Sequence, residues 1–227
     1  MLPVRSIFMI LLLVTTLSLI YSNYSRVRAS TDNDNEDFEE QNLIQVCCAW
    51  GGELQDGILT YKIDEDDISD EEKAVVQDAV EEWDTKIDRL ELEEAPDNSD
   101  ITIEFADGND NDEEEGEDIA GETMTTFYED GFIGKVEITI NKKVQDYEFD
   151  TKTIGQIAKH EMGHALGLGH ANFDNNLMAA RVNHGTGSVS ECEIKAVIEA
   201  NYWKLGQIEE DNNLMPHYPQ QDSVVCD

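Results

Sequence analysis

Short runs of strand-forming residues between turn residues predict the strands of this chain. One is expected around residues 58–63, which read ILTYKI, and another at residues 101–105, where ITIEF alternates apolar with polar positions. Residues 122–141 predict a strand, a glycine-containing turn and a further strand. The positions expected on buried faces are Ile101, Ile103 and Phe105, and then Val136, Ile138 and Ile140.

Apolar residues at spacings of three, four and seven predict two helices that start at capping boxes. Ser69 with Glu72 marks the start of one, and Ser190 with Glu193 marks the start of the other. The expected inner face is Val76, Ala79, Val80, Trp83, Ile87 and Leu90 in the first, and Ile194, Val197, Ile198, Tyr202 and Leu205 in the second. Each of these helices must pack against a sheet or another helix.

Three acidic or aperiodic segments are expected to lack regular structure. Residues 31–40 contain six acids in ten, so residues 30–49 are predicted to be an acidic disordered leader, with order starting near Trp50. Residues 107–118 contain eight acids in twelve and predict a loop. Residues 207–227 show no clear period and predict a C-terminal tail.

The first 29 residues have the pattern of an export signal. Arg5 precedes an apolar run at residues 7–21, and Ala29 is a small residue at a plausible cleavage point. A membrane span needs about 20 apolar residues, so the short run favours a cleaved signal peptide over an uncleaved anchor. Either way, the protein is expected to be secreted or anchored at the outer face of the cell membrane.

The charge balance restricts the partners. The chain has 15 basic and 51 acidic residues and a net charge of −36, which would repel nucleic acid and anionic lipid. The acids could form a solvated coat suited to salty surroundings or carboxylate clusters that bind calcium. Their spread along the chain favours the coat, and the loop at residues 107–118 leaves the same two alternatives open.

The four cysteines allow several bridges. Neighbouring cysteines rarely pair, so the two connectivities that join Cys47 and Cys48 to Cys192 and Cys226 are favoured, although one bridge with two free thiols is also possible. The tail could then be attached to the folded body through Cys226.

Residues 160–170 read HEMGHALGLGH and lie at the end of a third predicted helix, which would start near residues 150–151. His160 and His164 would be one turn apart on one face, with Glu161 beside any ion that they hold. Gly167 would let the backbone turn so that His170 adds a third nitrogen. Three protein ligands leave a zinc ion an open position, which is typical of catalytic sites.

This segment matches the HExxHxxGxxH signature of the metzincin zinc endopeptidases, and GHALGLGH followed by Met178 resembles the matrixin branch. The likeness extends over residues 50–206 through the strands and helices predicted above. It implies an α+β fold in which a twisted mixed β-sheet and two helices stand above a cleft, with a small C-terminal subdomain that contains one helix.

The resemblance also implies the roles of single residues. His160, His164 and His170 would bind one catalytic zinc, Glu161 would be the general base and acid towards a water at the zinc, and Met178 would be the Met-turn methionine. Met215 occurs in a second NNLM sequence, but it follows the last helix, whereas the Met-turn of the family precedes it.

Two features of matrixins are missing from the sequence. No histidine precedes His160, so the second, structural zinc of the family has no histidine ligands here. The PRCGxxD segment that supplies a cysteine latch is also absent.

The function implied is hydrolysis of peptide bonds in extended polypeptide substrates. The alternative is a catalytically silent, acidic, calcium-binding envelope or adhesion protein on a metzincin scaffold.

Overall fold

The computed structural model describes residues 41–66, 68–107, 119–181, 185, 187–206 and 215–226. The predicted signal or anchor at residues 1–29, residues 30–40 of the predicted leader, most of the acidic loop and residues 207–214 of the tail lie outside this part of the chain. Within the described residues, no helix has the length and apolar character needed to cross a membrane.

The described residues form ten strands and four α-helices, with six consecutive strands between the first helix and the second. The strands are β1 (Leu43–Val46), β2 (Ile58–Ile63), β3 (Glu91–Glu94), β4 (Ile101–Ala106), β5 (Gly121–Phe127), β6 (Ile133–Asn141), β7 (Lys143–Val144), β8 (Tyr147–Glu148), β9 (Leu168–Ala171) and β10 (Ser223–Val225). The helices are α1 (Asp70–Lys86), α2 (Thr151–Ala165), α3 (Glu191–Ala200) and α4 (Tyr202–Leu205). A single turn of 3₁₀ helix covers Gly52–Leu54.

The central sheet has five strands in the order β3-β2-β4-β6-β5. Strands β3, β2, β4 and β6 are parallel, and β5 pairs antiparallel with β6 at the edge of the sheet. This arrangement confirms the mixed sheet and the α+β class. Strand β3 was not predicted, because its residues read ELEE and one buried leucine among acids shows no alternation of apolar and polar positions.

Helix α1 confirms the first capping box and most of the predicted buried face. Ser69 and Glu72 bond reciprocally, and Val76, Ala79, Val80 and Trp83 are buried. The helix ends at Lys86, so Leu90 is buried beyond the helix and does not belong to its face. The indole of Trp83 donates to the carbonyl of Lys159, 3.0 Å away, and so joins α1 to α2.

The second capping box is also confirmed, but the end of that helix differs from the prediction. Helix α3 stops at Ala200, and Asn201 interrupts the backbone with its side-chain amide 2.9 Å from the carbonyl oxygen of Leu166. The interruption changes the helical phase, so Trp203 is fully buried while Tyr202 is 37% exposed. The placement of Tyr202 on the inner face was therefore wrong.

The prediction of a disordered leader is wrong for residues 41–49, which are part of the folded body. Strand β1 lies between β9 and β10 in an antiparallel three-stranded sheet, with Ile44 and Val46 buried. The compact unit that contains the described residues begins at Gln41. Strand β10 likewise belongs to this sheet, so the end of the predicted tail is structured.

The favoured disulfide connectivities are wrong as well. The bridges are Cys47–Cys48 and Cys192–Cys226. The positions of these cysteines relative to β1 explain the pairing. The amide of Cys226 donates to the carbonyl of Asn42, just before β1 begins, whereas Cys47 follows the last residue of β1 and its amide donates to the carbonyl of Gly167. Cys226 therefore lies far from Cys47 along β1, and the attachment of the tail through Cys226 is confirmed.

Candidate metal centre

Helix α2 brings two of the predicted ligands together. Its N-terminus is capped by Asp150, whose carboxylate accepts from the amide of Thr153 at 2.8 Å. His160 and His164 are one turn apart near the end of the helix, and their Nε2 atoms are 3.1 Å apart. Both imidazoles therefore direct the same ring nitrogen to one point.

His170 comes to the same point from strand β9. Gly167 has a φ of +100°, which reverses the chain after the helix, as the sequence predicted. Strand β1 fixes β9, and the amide of Leu43 donates to Oδ1 of Asn172 at 2.7 Å, just beyond the strand. One ligand nitrogen from each of His160, His164 and His170 lies within 4.8 Å of the others.

The remaining ring nitrogens have backbone partners. Nδ1 of His160 lies 2.7 Å from the carbonyl oxygen of Leu177, and Nδ1 of His164 lies 2.9 Å from that of Leu168. A carbonyl accepts, so Nδ1 carries the proton and Nε2 keeps a lone pair. Burial lowers the pKa of both imidazoles, to about 4 for His164, which favours the neutral form that binds metal. This set of donors fits zinc.

Met178 is fully buried against helix α2, which carries two of the predicted ligands. A Cβ at Gly163, between the two helical histidines, would overlap the Met178 sulfur, so the two residues are in close contact. The carbonyl of Met178 accepts from the amide of Ala171 at 2.8 Å, next to His170. Met215 is 78% exposed, so Met178 is the methionine that packs at the centre.

Glu193 stabilises the segment that contains Leu177 and Met178. The sequence predicted only its part in the capping box, not this contact. Its fully buried carboxylate accepts from the amide of Leu177 through Oε1 at 3.0 Å, while Oε2 accepts from Ser190. The carbonyl of Leu177 in turn orients His160. Only the folded backbone brings these residues together.

Glu161 lies beside the histidines and is only 5% exposed. Burial raises the pKa of its carboxyl group to about 7, against the lowering effect of a hydrogen bond from Thr123, and the charge of Glu122 raises it further. The Thr123 hydroxyl donates to Oε2 at 2.6 Å. No pattern in the sequence indicated this contact, because Thr123 lies 38 residues away on β5.

The histidines and Glu161 line an open cleft of about 1330 Å³. Residues 119–123 line it from the side of the β5 edge, and Ala179, Ala180 and Arg181 line it after the Met178 turn. Tyr147 and Phe149 add an aromatic pair with ring centroids 5.7 Å apart. The cleft can therefore accommodate a chain that runs along β5 and past the three histidines.

A comparison with known protein families gives a match to this chain. The family model described as matrixin, a peptidase family, matches residues 50–200, which include the three histidines, Glu161 and Met178. No curated protein matches the chain significantly.

Proposed function

Since this chain belongs to the matrixin family of metallopeptidases, we propose that it is a zinc-dependent endopeptidase that cleaves extended polypeptides. The observation that carries the proposal is the convergence of three imidazoles beside the buried side chain of Glu161, in a cleft open to solvent. An isolated structural zinc site would need neither the carboxylate nor the open cleft.

His160, His164 and His170 would hold the zinc through their ring nitrogens. When bound, zinc polarises the scissile carbonyl and makes water a stronger acid. Glu161 would accept the proton of the attacking water at a carboxylate oxygen and deliver it to the nitrogen of the leaving amine. The backbone carbonyls of Leu177 and Leu168 would keep the first two imidazoles in their orientation.

The free edge of β5 supports an extended substrate. Within the described part of the chain, this strand pairs with β6 on one side, and its other side is the unpaired edge of the sheet next to the cleft. A substrate backbone can add to such an edge as a further strand, with its side chains alternately in and out of the cleft. We therefore assign β5 to substrate binding.

We also propose that the enzyme works outside the cytoplasm. The pattern of residues 1–29 and the Cys192–Cys226 bridge both favour an oxidising, exported setting. Calcium binding by the acidic loop at residues 107–118 stays a prediction from the sequence, because most of that loop lies outside the described residues.

Replacement of Glu161 by Gln tests the proposal. The amide keeps the size of the side chain but cannot take the proton, so Glu161→Gln should retain zinc and lose at least about 1000-fold in cleavage of a denatured protein. Wild-type cleavage should stop when zinc is removed by a chelator.

Glu81→Gln is the matched control, because Glu81 is an exposed acid on α1. It should cleave as the wild type does. Wild-type protein that holds zinc but cleaves nothing with or without added calcium would contradict the proposal and favour a silent binding protein.

A further inference from the structure

Two residues of strand β5 enclose the carboxylate of Glu161. The hydroxyl of Thr123 lies 2.6 Å from Oε2 and 3.2 Å from the backbone oxygen of Glu161. Oε1 occupies the space beside Gly121, where a Cβ would lie 2.6 Å from it and 2.7 Å from Cγ2 of Ile157. The carboxylate therefore lies between the Thr123 hydroxyl and a space that a side chain at residue 121 would fill.

We propose that Gly121 and Thr123 position the Glu161 carboxylate for proton transfer, an inference that rests on the proposed endopeptidase activity. A glutamate side chain has several rotamers, and one fixed oxygen removes most of that freedom. With Oε2 accepting from Thr123, Oε1 is the oxygen left to take the proton from water. Thr123 is then a positioning residue that acts through Glu161.

The register of β5 connects this contact to the substrate. The amide of Asn141 donates to the carbonyl of Ala120 at 3.0 Å, so this pair of residues is hydrogen-bonded. Along an antiparallel pair of strands, hydrogen-bonded and non-hydrogen-bonded residue pairs alternate. Gly121 and Thr123 are one and three residues beyond Ala120, so each lies opposite its β6 partner in a non-hydrogen-bonded pair. Their N–H and C=O groups point to the free edge of the sheet.

A substrate strand on this edge would bind the backbone of the residue whose hydroxyl holds Glu161. Docking of a substrate and the position of the base would then depend on the same residue, Thr123. A threonine that only satisfies a buried acid would contribute to stability but would not be expected to affect turnover selectively.

The test compares Thr123→Val, which keeps the shape and the backbone, with Thr123→Ser, which keeps the hydroxyl. Thr123→Val should lower kcat at least about tenfold, which is the effect expected from the loss of one hydrogen bond to a charged group. Its KM should stay within about twofold of the wild-type value, and its zinc content should not change. Serine should restore kcat to within about threefold of wild type. Crystal structures should show the Glu161 carboxylate displaced in the valine variant and in place in the serine variant.

Thr139→Val is the matched control, because the hydroxyl of Thr139 on β6 also donates to a carboxylate, that of Glu104, at 3.2 Å. Its kcat should equal that of wild type. The proposal is overturned if serine is as impaired as valine, if valine acts through KM or zinc loss, or if Glu161 does not move. An inactive wild type would count against the endopeptidase itself, and the crystal structures of the Thr123 variants would still decide whether the Thr123 hydroxyl holds the carboxylate.

Discussion

Gly167 is the residue at which the chain leaves helix α2 and enters strand β9. Its φ of +100° is rarely adopted by residues with a side chain, and a Cβ would overlap the carbonyl oxygen of Cys48. The amide of Cys47 also donates to the Gly167 carbonyl at 3.0 Å, so the neighbouring backbone cannot move away without loss of a bond. The path from His164 to His170 therefore depends on this glycine.

Gly167→Ala should lower the free energy of unfolding by at least about 2 kcal/mol, since backbone strain and a backbone overlap both add to the cost. Chemical denaturation monitored by tryptophan fluorescence measures the change. Gly52→Ala is the control, because nothing lies within 4 Å of a Cβ at Gly52, and it should change stability by less than about 0.5 kcal/mol. Equal stability of the two variants would contradict this account of Gly167.

At the scale of single residues, the sequence predicts the groups whose spacing is local. His160, Glu161 and His164 lie within one helical turn, and their arrangement follows from the period of the helix. The contacts of Thr123 and Glu193 with the centre could not be predicted, because they join residues that are far apart in the chain and have no motif of their own.

At the scale of elements, Glu82 joins α1 to α2 and to the segment before α3. Its carboxylate lies 2.6 Å from Nζ of Lys159 and 2.8 Å from Nζ of Lys86, and it accepts from the amide of Val189 at 2.9 Å. Burial opposes ionisation, but the hydrogen bonds from Lys159, Lys86 and Val189 outweigh it and lower the pKa of Glu82 from 4.5 to about 2. Lys159 directly precedes His160, so these contacts also fix the approach to the metal centre.

Glu82→Gln should lower the free energy of unfolding at pH 7 by about 1–3 kcal/mol, because hydrogen bonds to a charged group are lost. The pKa of Glu82 is lower in the folded than in the unfolded state, so its contribution is present above pH 4.5 and is lost as the pH falls towards about 2. The difference between wild type and variant should therefore shrink below pH 4.5. Denaturation curves at pH 7 and pH 3.5 measure it, and a difference that grows in acid would contradict the assignment.

Helices with a capping box and a helical period of apolar residues could be predicted from the sequence. Short strands that form only by pairing with distant segments could not. Helices α1 and α3 start at capping boxes that are visible in the sequence. Strands β1, β3 and β10 are three or four residues long, which is too short for a periodic pattern, and their neighbours in the sheets come from other parts of the chain. Tertiary pairing alone creates them.

At the scale of the whole molecule, the strands that hold His170 in place include segments outside the region that the family model matches. The match covers residues 50–200, whereas β1 and β10 lie before and after it and form one sheet with β9. The Cys192–Cys226 bridge connects the end of that sheet to α3. The two ends of the described chain therefore contribute to the placement of the third histidine.

Zinc content is the decisive measurement for the proposal that the three histidines form one zinc site. Wild-type protein dialysed against zinc-free buffer should retain one zinc per chain. His160→Ala, His164→Ala and His170→Ala should each lose it, because a site with two protein nitrogens binds zinc far more weakly. His217→Ala, outside the triad, should keep it. Zinc retained by all three triad variants, or absent from the folded wild type after exposure to excess zinc, would contradict the claim.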